Sequence, residues 1–159
     1  MKIYNLTRKQ ILPIGIQEAW EFFSSPHNLS RITPAHMGFR IVYMSGGPEM
    51  YPGQIIRYVV QGLPGIAMNW TTEITHVHRP HYFVDEQRFG PYALWHHQHH
   101  FKAVDGGTEM TDEVNYAIPL GILGRLANRL FVEREVNRIF DHRHTVLESF
   151  FKQPKPEPA

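Results

Sequence analysis

The sequence predicts an α+β domain in which one curved antiparallel sheet of seven strands surrounds a long C-terminal helix. Three observations predict this arrangement. One strand and two short helical segments come first, six short strands separated by Gly- and Pro-rich turns follow, and a long proline-free amphipathic stretch comes near the end. A helix lying across one face of an antiparallel sheet lets that face be apolar while the other meets water.

The N-terminal elements have recognisable boundaries. Residues 2–12 alternate loosely between apolar and polar side chains and predict a first strand, which Pro13 ends. In residues 16–23 the apolar side chains recur at three- and four-residue spacing, which predicts a helix. Residues 28–32 predict a second helical turn, which ends before Pro34 because the residue before a proline disfavours the helical conformation.

Six strands are predicted in the middle of the chain, each followed by turn residues. They are residues 39–44, 54–61, 67–78, 82–89, 92–104 and 108–117. Short strands at this spacing are typical of an antiparallel meander, and Asp105-Gly106-Gly107 is typical of a hairpin turn.

Residues 120–152 predict one long helix. Such a helix would be roughly 45 Å long, so it must lie across the sheet or bend near its two glycines, Gly121 and Gly124. Its apolar face is predicted to include Leu123, Leu126, Leu130, Phe140 and Leu147, and its polar face Arg125, Arg129, Glu133, Arg138 and Arg143. We therefore expect a single domain over residues 1–152 and a disordered proline-rich tail over residues 153–159.

Composition excludes several classes of protein. The chain of 159 residues fits one domain. It has no cysteine, which excludes disulfides, Cys-ligated zinc and a Cys nucleophile, and fits a cytoplasmic location. A formal charge of +1 without a Lys/Arg cluster predicts no nucleic-acid partner, and no apolar run approaches the ~18 residues of a membrane span. The oligomeric state stays open.

Four local motifs carry a resemblance to a known family. They are Ala19-Trp20-Glu21-Phe22-Phe23; Phe83-Val84-Asp85-Glu86-Gln87 followed by Trp95-His96-His97-Gln98-His99; Asp105-Gly106-Gly107-Thr108 leading to Asp112-Glu113-Val114; and Ile139-Phe140-Asp141-His142-Arg143. With the order of elements, they make residues 3–151 resemble the SRPBCC superfamily, the START and birch-pollen-allergen-like helix-grip fold, in its bacterial ligand-binding or cyclase/dehydrase-like branch. The resemblance implies a cavity between sheet and C-terminal helix for an apolar small molecule, such as a lipid, a polyketide or an aromatic metabolite.

Strand alternation predicts the lining of this cavity. Trp95, His97, His99 and Phe101 share one face of their strand, and we expect that face to point inward. The predicted ligand-binding residues on the other strands and on the helix are Trp70, Phe83, Asp85, Gln87, Phe89, Asp112, Tyr116, Asn137 and Asp141. His144 is a further polar candidate on the helix.

The polar members of this set allow three interpretations. Buried Asp85 and Asp112 need partners, because an unsatisfied buried polar group costs about 1–3 kcal/mol, and His97 and His99 are the natural ones. The set is then a structural network, a patch that orients the ligand, or the acid/base pair of a polyketide cyclase or dehydratase. In the last case the catalytic candidates are His97, His99 and Asp112.

A metal site is considered separately. His97-Gln98-His99 places two imidazoles on one strand face, and Asp85 or Asp112 could be a third ligand. His-x-His alone is a weak signal, and no HExxH motif is present. From the sequence we therefore expect no metal and no other cofactor.

Overall fold

A computed structural model describes residues 1–63 and 66–152; the predicted tail, residues 153–159, lies outside the described residues. The strands are β1 (Tyr4–Leu12), β2 (Arg40–Met44), β3 (Gln54–Leu63), β4 (Ile66–His78), β5 (Tyr82–Phe89), β6 (Leu94–Val104) and β7 (Gly107–Ala117). The helices are α1 (Ile16–Phe23), α2 (Pro26–Ile32), α3 (Gly121–Ala127) and α4 (Glu133–Lys152), with a 3₁₀ turn at Ala35–Met37. The predicted α+β class and order of elements are confirmed.

All seven strands form one sheet in the order β1-β7-β6-β5-β4-β3-β2, and every neighbouring pair is antiparallel. The first strand thus pairs with the last, while β2 to β7 follow one another as a meander. Strands β5, β6 and β7 each have a partner on both sides. Their backbone is therefore held on two edges, which makes them a rigid support for side chains that must be placed accurately.

The C-terminal helix is not continuous. A π-helical segment, Asn128–Val132, separates α3 from α4, so the irregularity comes after the glycines at which a bend was predicted. A π turn holds more residues than an α turn, and it shifts the apolar pattern around the helix axis. Leu123, Leu126 and Leu130 are consequently 69%, 54% and 55% exposed, although the prediction placed them on the buried face.

The core beneath α1 and α4 is mainly aromatic. Trp20 of α1 meets the edges of Phe83 and Phe101, with ring centroids 6.0 Å and 6.2 Å away. Leu147 of α4 is buried in the same cluster. Edge-to-face contacts add about 0.5–1.5 kcal/mol each to the burial of the rings, so β5 and β6 are firmly docked at this end. Among the described helices, none combines the length and apolar character needed to cross a membrane.

Candidate functional site

Three neighbouring strands, β5, β6 and β7, bring four ionisable side chains together. The register places His99 opposite Asp112 of β7 and His97 opposite Asp85 of β5. Directly opposed residues of antiparallel strands project from the same face, so all four side chains point to the side that α4 covers. His97, His99 and Asp112 are buried, and Asp85 is largely so.

Each carboxylate faces both imidazole rings. His97 Nε2–H donates to Asp112 Oδ1 over 2.9 Å, and His99 Nε2–H donates to Asp85 Oδ2 over 2.8 Å. The remaining nitrogens lie near carboxylates: His99 Nδ1 is 3.2 Å from Asp112 Oδ1 without a hydrogen bond, and His97 Nδ1 is 3.5 Å from Asp85 Oδ2. The two rings themselves lie against each other, with centroids 3.7 Å apart.

Arg143 of α4 completes this cluster, and sequence reasoning missed it. Its Nη1 lies 3.2 Å from Asp112 Oδ1, and the residue is only 6% exposed. The prediction that Arg143 lies on the polar face was therefore wrong. A signal was present, because Arg143 is three residues after Phe140 and four before Leu147, which are both buried. That spacing places it on the buried stripe of the helix.

Both carboxyl groups of the cluster have lowered pKa values. Burial opposes ionisation of Asp112, but Arg143 and the hydrogen bond from His97 outweigh it and hold the pKa of Asp112 well below its usual value. Burial likewise opposes ionisation of Asp85, and the two imidazoles outweigh it and lower its pKa.

The two histidines shift in opposite directions. Burial, with the neighbouring His99 in second place, lowers the pKa of His97 and keeps that ring neutral. Burial also acts against protonated His99, but Asp112 and Asp85 outweigh it and raise the pKa of His99. The two imidazoles therefore differ in their affinity for a proton although their rings lie against each other.

An aromatic group adjoins the polar cluster, and we call Trp70, Tyr92, Trp95 and Tyr116 the aromatic wall. Trp70 contacts Tyr92 and Trp95 at centroid distances of 5.4 Å and 5.3 Å. Trp95 lies 6.2 Å from both Tyr116 and His97. Trp70, Tyr92 and Trp95 are only half-buried. The Trp70 indole nitrogen is nevertheless buried and has no hydrogen-bond partner among the described residues.

Tyr92 belongs to the aromatic wall but was not among the predicted site residues. It comes from the connection between β5 and β6, and its ring lies 4.9 Å from Trp95 and 5.9 Å from Tyr116. The side-chain amide of Gln87 holds this connection by donating to Tyr92 O over 2.7 Å and accepting from Tyr92 N over 3.2 Å. Gly90-Pro91 was predicted as the turn and Tyr92 as the first residue of the next strand, which begins only at Leu94, and no signal in the sequence indicated that the Tyr92 ring packs inward.

None of the four residues of the aromatic wall lines either of two pockets in the described part of the chain. One of about 220 Å³ is lined by Met1, Lys2, Tyr4, Ile118, Pro119, Leu120, Gly121 and Arg125. The other, of about 10 Å³, lies beside Asp112 and Arg143 and has room for about one water molecule. The rings of the aromatic wall contact one another at centroid distances from 4.9 Å to 6.2 Å, and the predicted cavity stays a prediction.

Comparison with known proteins identifies the fold. No protein-family model and no curated protein matches the sequence. Solved structures do match. The di-domain ARO/CYC BexL from the BE-7585A biosynthetic pathway superposes with a TM-score of 0.72 at 14% identity, over 96% of this chain and 51% of its own. Ginseng major latex-like protein 151 from Panax ginseng superposes with a TM-score of 0.68 at 14% identity, over 94% and 97% of the two chains. A protein of Thermus thermophilus gives 0.68 at 12% identity, over 92% and 99%.

The chain has the helix-grip fold of these structures. The resemblance drawn from the sequence motifs is thereby confirmed for the fold. In this helix-grip domain the C-terminal helix covers only part of the sheet. Helix α4 lies over the polar cluster, whereas the apolar side chains of α3 are exposed.

The helix-grip sheet does not place every predicted site residue at the site. Phe83 and Phe101 are buried in the core against Trp20, away from the aromatic wall. Phe89 is 73% exposed, so its predicted inward position was wrong. The pairing of β4 with β5 shifts by one residue between Gln87 and Phe89, and such a bulge turns the following side chain to the other face.

Three polar residues that the prediction placed near the cluster from the helix lie outside it. Asp141 is exposed and lies 3.4 Å from Arg8 of β1, and Asn137 accepts a hydrogen bond from the same guanidinium. His144 is exposed as well. The prediction that the cluster gains Asn137, Asp141 or His144 was wrong because these residues flank the buried stripe, whose polar member is Arg143.

The helix-grip cluster predicts a dependence of stability on pH. Asp85 and Asp112 both have pKa values below their ordinary value of 3.8, so the folded state binds fewer protons than the unfolded state in acid. Their contribution is present above pH ~4 and is lost as the pH falls through the folded-state values. We expect the free energy of unfolding, measured with urea in EDTA, to fall between about pH 5 and about pH 2.

Two variants separate this effect from general acid unfolding. Asp112→Asn should make the slope shallower because it removes the more strongly shifted carboxylate, whereas Asp141→Asn should leave the slope unchanged because Asp141 is exposed. Equal slopes in both variants and the wild type would show that the cluster is not the source of the acid sensitivity.

Proposed function

We propose that the protein binds an apolar small molecule, a lipid, polyketide or aromatic metabolite, against the aromatic wall between the sheet and the C-terminal helix. The observation that carries this proposal is the unpartnered N–H of Trp70 within a half-buried aromatic surface. A buried donor without an acceptor costs about 1–3 kcal/mol. A flat ligand with a carbonyl or hydroxyl oxygen would satisfy that donor and cover the exposed ring faces.

The surroundings of the wall fit an apolar ligand. Ile118 and Val132 pack against the same cluster as Tyr92 and Trp95, so both ends of the segment that contains α3 are anchored there. Between those ends Ile122, Leu123, Leu126 and Leu130 are exposed. Contiguous exposed apolar side chains of this kind are typical of a surface that a ligand or partner covers.

Entry of a ligand requires Tyr92 to move. Its ring lies between Trp70, Trp95 and Tyr116, while Gln87 holds its backbone. The ring can therefore swing out while the connection between β5 and β6 stays in place. The polar cluster, which begins at His97 next to Trp95, would lie at the end of the opened space and orient a polar substituent.

The cyclase or dehydratase alternative receives less support from the geometry. One nitrogen of each ring donates to a carboxylate, His97 Nε2 to Asp112 and His99 Nε2 to Asp85. Both rings are also buried, so neither is accessible to a substrate without rearrangement. The two ARO/CYC structures that share the fold, BexL and StfQ, are 14% and 15% identical to this chain, which leaves this alternative a prediction.

The proposal is tested with flavone, which is flat and has one ring carbonyl, and with 2-phenylnaphthalene, which lacks the carbonyl. We expect the wild type to bind both in equilibrium dialysis. Trp70→Phe keeps a ring and removes the N–H, so it should weaken flavone binding about two- to tenfold and leave 2-phenylnaphthalene binding unchanged. Trp20→Phe, in the separate core cluster, is the matched control and should change neither affinity.

Native mass spectrometry of freshly purified protein provides a second measurement, because a resident ligand appears as an added mass. Absence of an added mass together with absence of binding to either probe refutes the proposal. An equal loss of both probes in Trp70→Phe would show that Trp70 contributes packing and that its N–H is not the recognition element.

A further inference from the structure

We propose that Asp85, His97 and His99 form a binding site for a divalent transition metal of borderline softness, such as Zn²⁺. The inference is independent of the proposed ligand. Each of the three residues offers one ligand atom, and these atoms all lie within 4.8 Å of one another. Asp85 Oδ2 lies near one nitrogen of each ring, His97 Nδ1 and His99 Nε2. Imidazole with carboxylate is a donor set that suits Zn²⁺ and its neighbours in the first transition row.

The distances fit such an ion. Ligands about 2.0–2.1 Å from a tetrahedral zinc ion are separated from each other by about 3.3 Å. Asp85 Oδ2 lies 2.8 Å from His99 Nε2 and 3.5 Å from His97 Nδ1, values on either side of that separation. A metal between the three side chains would require small rotations of the rings to bring all three ligand atoms to that separation.

Asp112 supplies the outer support that metal-binding histidines normally have. In such sites the nitrogen that does not bind the metal donates to a carboxylate, which fixes the tautomer and the ring orientation. Here His97 Nε2–H donates to Asp112 Oδ1 over 2.9 Å, whereas His99 Nδ1 lies 3.2 Å from the same oxygen without forming a hydrogen bond. Arg143 holds the same oxygen at 3.2 Å. The buried Asp112 carboxylate thus orients the His97 ring so that Nδ1 lies on the side of Asp85, and it could accept from His99 Nδ1 after a small rotation of that ring.

Without a metal, the contact between His97 Nδ1 and Asp85 Oδ2 is unfavourable. With its proton on Nε2, His97 presents a lone pair from Nδ1 to the Asp85 carboxylate at 3.5 Å, and two electron-rich atoms then face each other. A cation between them removes that repulsion. Phe83 stacks on His99 at 4.0 Å and Phe140 lies 5.5 Å from His97, so these rings restrict movement of the imidazoles.

The test uses Co²⁺ and Zn²⁺ on full-length protein stripped with a chelator. We expect the wild type to take up one equivalent of metal, with visible Co²⁺ absorption typical of four or five ligands, and Zn²⁺ to displace Co²⁺. The protein has no cysteine, so thiolates cannot contribute to the signal. Asp85→Asn and His99→Gln should each weaken binding at least tenfold, and Asp112→Asn should weaken it about tenfold through the loss of outer support.

The matched controls are His96→Gln and His100→Gln, which remove imidazoles from the opposite face of the same strand. Both should keep wild-type affinity. If a site variant fails to fold, the wild type still decides the question, since Zn²⁺ should shift the ¹⁵N resonances of His97 Nδ1 and His99 Nε2. Absence of one-to-one uptake by the wild type, or equal uptake in Asp85→Asn and His99→Gln, overturns the proposal. Loss of uptake in His96→Gln or His100→Gln also overturns it.

Discussion

Arg143→Met is expected to lower the free energy of unfolding by about 3–5 kcal/mol. Arg143 and Asp112 are both buried, with side chains 7% and 2% exposed and 3.2 Å between Nη1 and Oδ1. Removing the guanidinium leaves Asp112 inside the protein with the two imidazoles as its remaining partners. The lost attraction is not replaced by water, because the methionine side chain fills most of the space.

The control for this prediction lies on the same helix. Arg138 pairs with Glu135, also at 3.2 Å, but these side chains are 62% and 35% exposed. Arg138→Met should cost less than about 1 kcal/mol, because solvent screens an exposed pair. Urea unfolding followed by circular dichroism measures both variants. Equal decreases in the free energy of unfolding would show that burial does not strengthen the Arg143–Asp112 pair.

Gly107→Ala is the second change with a large expected effect. Gly107 begins β7 with a φ of +150°, and an added Cβ would lie 2.0 Å from the backbone oxygen of Leu12 in β1. The backbone strain alone costs about 1–3 kcal/mol, and the contact forces β1 away from β7. We expect the free energy of unfolding to fall by more than about 3 kcal/mol. Asp112, further along the same strand, should also be positioned less firmly.

Gly106→Ala is the comparison for that variant. Gly106 has a φ of +84°, and an added Cβ meets no atom within 4 Å. Only the left-handed backbone is penalised, at about 1–2 kcal/mol. Thermal unfolding of the two variants should therefore show a clearly larger fall in melting temperature for Gly107→Ala. Similar falls would show that the close approach to Leu12 relaxes at little cost.

The sequence predicted the meander well because the relevant signals are local. Turn residues separate the strands, and the alternation along β6 correctly indicated that His97, His99 and Phe101 point inward. The pairing of these histidines with Asp85 and Asp112 followed from the same alternation on neighbouring strands. The predicted roles of these residues in ligand binding and catalysis stay predictions.

The helix was harder to interpret because its phase depends on packing. One π-helical segment, Asn128–Val132, changes which side chains face the sheet, and no local motif announces it. Arg143 was predicted on the polar face because it is charged, although its spacing from Phe140 and Leu147 is that of a buried residue. The inward ring of Tyr92 and the outward turn of Phe89 are likewise consequences of contacts between strands.

By itself the sequence determined the order of elements, the absence of thiol chemistry and the inward face of β6. Periodicity and turn residues act over a few positions, so they can be recognised in a single sequence. Only the tertiary structure decided that Arg143 joins the two aspartates and two histidines, and that the rings of Trp70, Tyr92, Trp95 and Tyr116 pack against one another. Those outcomes depend on distances between residues far apart in the chain, where desolvation and packing outweigh local preference.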